Sequence, residues 1–154
     1  MMFPKKGKSR KITITTPDKW FSIVVRLTHL IDGTEYVKCV TCGRVLHWSL
    51  SQCGHYISRG KPMTRFYMKN CHPQCPTCNK PVSQGGLGGN LINYSIFIEK
   101  TYGAGTAKKL KDLSEIRGAN IPLDKMYTKV KLKEISDEFK IDAKKLANEK
   151  GIKL

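Results

Sequence analysis

Three stretches decide the fold: Cys39-Val40-Thr41-Cys42-Gly43, then Cys53-Gly54-His55-Tyr56-Ile57-Ser58-Arg59, then Asn70-Cys71-His72-Pro73-Gln74-Cys75-Pro76-Thr77-Cys78-Asn79. The first and last carry CxxC knuckles with 32 residues between them. Each knuckle sets two thiolates on one turn, and two knuckles complete the tetrahedral sulfur site that suits Zn²⁺. The gap exceeds the about 15–20 residues of a simple zinc ribbon, so a folded insert sits between the knuckles. Four thiolates leave a zinc ion no open position, which makes Cys39, Cys42, Cys75 and Cys78 a structural site rather than a catalytic one. Redox-active dithiols or unligated thiols are the competing reading. Cys53 and Cys71 are left over, and buried free thiols are their default.

Working outward, residues 36–79 read as short β-like runs (YVKCV, VLHWSL, HYISR, TRFYM) broken by Gly and Pro, with all six cysteines and three of the four histidines. Before them, Pro17 to Ile31 has helical spacing of Trp20, Ile23, Val24, Leu27 and Ile31, with Pro17 in the first turn and Asp18 at the positive dipole end. After them, KPVSQGGLGG (80–89) is a loop. Asn90 is placed to cap a helix through Tyr102, ended by Gly103. Thr106 starts another, with Leu110, Leu113 and Ile116 inward and Gly118 closing it. Beyond Pro122, one or two Lys-rich amphipathic helices bring Met126, Val130, Ile135, Phe139 and Leu146 inward. The organisation is therefore a basic tail over 1–16, a zinc-stapled domain with its leading helix over 17–103, and a Lys-rich helical region over 104–154.

The chain of 154 residues carries a net charge of +16, and no carboxylate side chain falls between Glu35 and Glu99. Such a surface attracts a polyanion, with salt-sensitive binding through counterion release. A basic ribosomal or chromatin-like protein, or charge for solubility alone, is the plainer alternative. The N-terminal MMFPKKGKSRK leads into no apolar run, and no stretch approaches the about 20 apolar residues of a membrane span. A soluble, cytoplasmic protein with no membrane partner is expected. In that reducing setting, six cysteines favour metal over disulfides.

The order CxxC, strand ending in His55, Asn70 five residues before the second CxxC, and Asn79 directly after its last cysteine resembles zinc-stapled HNH (ββα-metal, His-Me finger) endonucleases. It is similar in pattern to phage recombination endonuclease VII. More narrowly, CVTCG, GHYISRG, TRF, N-x-H-x-Q-C-x-x-C-N, GGN and the later Tyr102-Gly103 look like the phage NinG (Rap) recombination proteins, over roughly residues 17–103. The resemblance implies an α+β fold, a small zinc-stapled ββα-metal core with flanking α-helices. It implies a nuclease acting on branched recombination intermediates such as Holliday junctions and D-loops.

The chemistry suits these residue types. Phosphodiester hydrolysis needs a base to activate water and a cation to hold the scissile phosphate and the leaving 3′ oxygen. His55 is the expected base. Asn70 orients the imidazole or braces the loop; a plain turn residue is the alternative. Asn79 offers its carbonyl oxygen to Mg²⁺ or Mn²⁺, or merely caps the following helix. The residue before the base is commonly Asp or His in the wider group, and NinG-like proteins often carry Asp two positions before that; here they are Gly54 and Gln52. His72 is the next candidate ligand for the catalytic cation, with Glu99 as a distant acid. Arg59, Lys61 and Arg65 are placed to grip phosphates, Arg in bidentate fashion. Branched DNA is the expected partner, read by backbone and shape. A homodimer through helices 90–102 and 106–117 follows, since symmetric junction resolution needs two sites; no small-molecule cofactor is expected. The second reading is a zinc-stapled, basic nucleic-acid-binding module whose catalysis has lapsed, favoured by Gly54 and Gln52.

Overall fold

The structure, a computed structural model, describes residues 13–116 and 121–154. The described residues form a mixed fold of seven α-helices and two small antiparallel sheets. Most of the predicted tail and the expected stop at Gly118 lie outside the described residues. No helix of the described residues is long and apolar enough to cross a membrane.

Helix α1 spans Thr15–Thr28, with Pro17 and Asp18 in its first turn as expected. It ends three residues short of Ile31. The chain turns at His29, so Leu30 enters the core and bridges to Val37, while Ile31 is left exposed. Strands β1 (Tyr36–Lys38) and β2 (Val45–His47) pair antiparallel. Between them the first knuckle closes on Gly43, whose φ of 78° is left-handed, a region a glycine enters without steric cost.

Strands β3 (Gln52–His55) and β4 (Cys71–Gln74) make the second sheet, with Cys53 opposite Pro73 and His55 opposite Cys71. Pro73 is tolerated because β4 has one strand partner and needs no ladder donor there; its carbonyl instead accepts from Val40 N–H at 3.1 Å. The expected strand TRFYM is a helical turn instead, α2 (Pro62–Arg65), started by Pro62 at its first position. The second knuckle opens α3 (Pro76–Asn79), likewise on a proline. Helices α4 (Leu91–Tyr102) and α5 (Thr106–Glu115) follow at the expected places.

Beyond Pro122 come α6 (Leu123–Met126) and the long α7 (Lys129–Glu149), capped by the Thr128 hydroxyl. Helix α7 packs on α1, burying Ala143 and Ala147 among Ile23, Val24 and Leu27. Its buried face is Leu132, Ser136, Ala143 and Ala147, with Phe139 and Leu146 alongside; Val130, expected inward, is exposed. A second apolar cluster of Phe21, Val25 and Cys71 lies between α1 and the β3–β4 sheet. That packing fixes which face of the sheet α1 covers, and so where the functional side chains point.

Candidate functional site

The two knuckles meet. The sulfurs of Cys39, Cys42, Cys75 and Cys78 all lie within 4.8 Å of one another, and three of the four residues are buried. Cys42 Sγ and Cys75 Sγ are 3.7 Å apart, close to the about 3.8 Å edge of a tetrahedron with Zn–S bonds of about 2.3 Å. The cluster is therefore able to hold a structural zinc. The sulfurs have polar company that favours thiolate: Thr41 Oγ1 lies 3.4 Å from Cys39 Sγ, and Asn90 Nδ2 donates to Cys78 Sγ at 3.5 Å. Asn90 does stand at the start of α4, but it is left-handed (φ 49°) and makes no side-chain cap; its amide serves the sulfur instead.

Beside this cluster a cleft of about 870 Å³ opens between α1, β3 and the loop after α3. His55 and Asn79 both line it. His55 ends β3, and its Nε2 lies 3.0 Å from the Arg65 carbonyl. A carbonyl only accepts, so Nε2 carries the proton and Nδ1 keeps the lone pair of the neutral ring. Burial lowers the His55 pKa from about 6.5 to about 4, with the charge of Arg59 acting the same way and the Arg65 carbonyl opposing. The ring is thus a neutral base throughout the physiological range. Asn79 closes α3, and its Nδ2 donates to Gln52 Oε1 at 2.8 Å. That bond leaves Asn79 Oδ1 as the oxygen available to a cation.

Asn70 makes no hydrogen bond to the His55 ring and does not line the cleft. It is fully buried and braces the following loop: Oδ1 accepts from Ile57 N–H at 2.7 Å, and Nδ2 donates to the carbonyls of Ile57 and Thr64, each at 3.0 Å. Arg59 lines the cleft, whereas Lys61 stands just outside it at the start of α2.

Two expected residues face elsewhere. His72 is no candidate for the catalytic cation. It sits on the opposite face of the sheet from His55, fully buried, with Nδ1 at 3.0 Å from Tyr94 Oη and Nε2 at 2.7 Å from Tyr102 Oη. Burial, with His29 adding to it, lowers its pKa to about 3. Arg65 turns inward rather than to phosphate. Its guanidinium pairs in bidentate fashion with Asp18 of α1 and also donates to the Arg59 carbonyl. Glu99 is also elsewhere, accepting from Ala107 N–H at 2.7 Å and from Gly105 N–H, at the start of α5.

The glycine before the base has a reason of its own. A Cβ on Gly54 would lie 2.1 Å from Gln74 Oε1, and Gln74 is fully buried. A side chain fits at that position only if Gln74 is displaced from its bonds to Thr41 and Gly89. The sequence reading also missed Asp18, Ser22 and Arg26, which present a polar stripe of α1 to the cleft, and Lys80 on its far wall. Their spacing of four residues was the available signal. Among the described residues Asp18 is the one carboxylate lining the cleft, and Arg65 occupies it.

The family model described as Bacteriophage Lambda NinG protein matches residues 5–149. The chain belongs to the NinG family. No curated protein and no solved structure matches it. In this NinG-family chain the matched region holds both the four-cysteine cluster and the cleft, and it reaches to the last residue of α7.

Proposed function

We propose that this NinG-family protein is a metal-dependent endonuclease that cuts branched DNA, on a ββα-metal core formed by β3, β4 and α3. The observation that carries the reading is the state of His55: a neutral ring, its Nε2 held by the Arg65 carbonyl, in the same cleft as Asn79. His55 Nδ1 takes a proton from the attacking water, in the role of general base. Arg65 acts only through position, its carbonyl fixing the ring and its side chain tying that turn to α1. Arg26, Arg59 and Lys80 line the cleft and would hold phosphate oxygens, which the net charge of +16 helps to draw in.

The cleft's donors fit a hard cation poorly charged but correctly typed: Asn79 Oδ1 would hold Mg²⁺ or Mn²⁺ together with substrate phosphate and water. Such a cation, when bound, offsets charge on the scissile phosphate and the leaving oxygen. Gln52 positions Asn79, and a zinc on the four cysteines would clamp the ends of the segment that carries His55 and Gln52, with Asn79 directly after it. Exposed Leu91, Ile92 and Ile96 on α4 support a homodimer through that helix, which light scattering on free and junction-bound protein tests.

One observation favours the second reading, a DNA-binding module without catalysis: Asp18 and Gln52 are both engaged, leaving the cleft no unpaired carboxylate. Four-way-junction, flap, duplex and single-stranded DNA, each with Mg²⁺, Mn²⁺ or EDTA, separate the two. Cleavage that needs the cation and vanishes in His55→Ala is expected. Tight junction binding with no cutting under any of these conditions selects the module.

A further inference from the structure

Cys53 and Cys71 belong to neither the zinc cluster nor the hydrolytic chemistry. Both are free thiols. Cys53 and His55 alternate onto one face of β3, and Cys71 is the register partner of His55, so all three occupy the face that α1 covers. Their ligand atoms lie within 4.8 Å of one another. Cys71 Sγ and His55 Nε2 even approach the same Arg65 carbonyl, at 3.7 and 3.0 Å. Cys53 and His55 line the cleft while Cys71 is buried behind them, with Phe21, Val25 and Phe66 packed around.

We propose that Cys53, His55 and Cys71 form a second metal site, selective for a thiophilic cation such as Zn²⁺, whose occupancy shuts the cleft. Two sulfurs and an imidazole are a soft-to-borderline donor set that Mg²⁺ does not contest. Three protein ligands leave a fourth position, and the cleft supplies it with water. Binding releases the two thiol protons and takes the His55 ring out of service as a base. The same imidazole thus serves hydrolysis in Mg²⁺ and arrests it in Zn²⁺. The binding half stands on the cluster alone, whereas the inhibitory half rests on the nuclease reading above.

The test is zinc content after dialysis against micromolar Zn²⁺, together with junction cleavage in saturating Mg²⁺ as Zn²⁺ is added. Two zinc ions per wild-type chain are expected, and one in Cys53→Ala and in Cys71→Ala. Zn²⁺ should stop wild-type cleavage, and Cys53→Ala should need about tenfold more or beyond, the scale on which a metal site responds to loss of one supporting group. One zinc in the wild type, or two in all three proteins, overturns the site. The same Zn²⁺ sensitivity in Cys53→Ala and wild type overturns the inhibitory role. The expected two-to-one stoichiometry with no cleavage by any protein upholds the site and overturns the nuclease reading alone.

Discussion

In the four-cysteine cluster the chain supplies every donor, and each is pinned by the turn that carries it. In the cleft around His55, 13 residues beyond Cys42, the chain supplies a neutral imidazole, several cations and the amide oxygens of Asn79 and Gln84. The cluster's geometry is complete without any partner; the cleft, whose one carboxylate is already paired with Arg65, presents no closed donor set. Completeness suits a staple, because stability needs a closed shell of soft ligands. Incompleteness suits a reaction site, because substrate has to provide what is missing. The difference teaches that proximity in sequence does not make two sites alike: the softness and number of the donors set what each could hold.

The comparison breaks most visibly if the staple is removed. Cys75→Ser takes one sulfur from a buried cluster and should abolish the cooperative melting transition, since structural zinc free energy is folding free energy in small domains. A transition near that of the wild type would mean the cluster is not a staple.

Next in size is the tie that sets the cleft wall. Asp18→Ala leaves Arg65 charged and buried without its partner (side-chain exposures of 7% and 14% for Arg65 and Asp18), a loss of about 3–5 kcal/mol in chemical denaturation. A change under about 1 kcal/mol would place the pair on the solvated surface instead.

The buried histidines supply a pH signature. His55 and His72 have folded pKa values near 4 and 3, below the ordinary value of about 6.5. Below about pH 6.5 the unfolded chain binds protons that the folded one refuses. Stability is therefore full above that pH and falls as pH drops toward 4, by at most about 1.4 kcal/mol per pH unit for each histidine. Melting temperatures from pH 7 to pH 4 read this directly, and a flat profile would contradict the burial of both rings.

The smallest effect sharpens the cleft side. Gln52→Asp puts a carboxylate beside Asn79, where the added charge should lower the Mg²⁺ concentration for half-maximal cleavage by about tenfold, equivalent to about 1.4 kcal/mol. The wild-type requirement is expected in the millimolar range. Tight Mg²⁺ binding by the free wild-type protein in isothermal titration would show that the cleft already holds a full ligand set.

What the sequence disclosed follows from how local each feature is. The knuckles sit in short ordered motifs, so the meeting of their four cysteines was legible from spacing, whereas Asn70 braces a loop apart from the cleft that His55 and Asn79 line. The orientation of His72 and Arg65 was not legible in that way. His72 faces away from His55 because register and alternation put it opposite Gly54, and a slip of one residue would have reversed that. Arg65 turns inward because an acid 47 residues earlier waits for it, a partner no local pattern announces. The TRFYM run has strand-like composition, yet Pro62 starts a helical turn there. Gly54 looked like a missing ligand, although a Cβ there would run into the side chain of buried Gln74, its diagonal neighbour across the strand pair. Asp18, Ser22 and Arg26 were visible at helical spacing, but their role needed the knowledge that α1 lies over β3.

The central claim, that the cysteine cluster holds the fold while His55 does the chemistry, is tested most directly by the single-turnover rate of junction cleavage in His55→Ala, with zinc content and melting temperature measured on the same sample. The account predicts a rate about 10²–10⁴-fold below wild type, with zinc content unchanged and cooperative melting retained. Cleavage at the wild-type rate by that folded, zinc-loaded variant would contradict it.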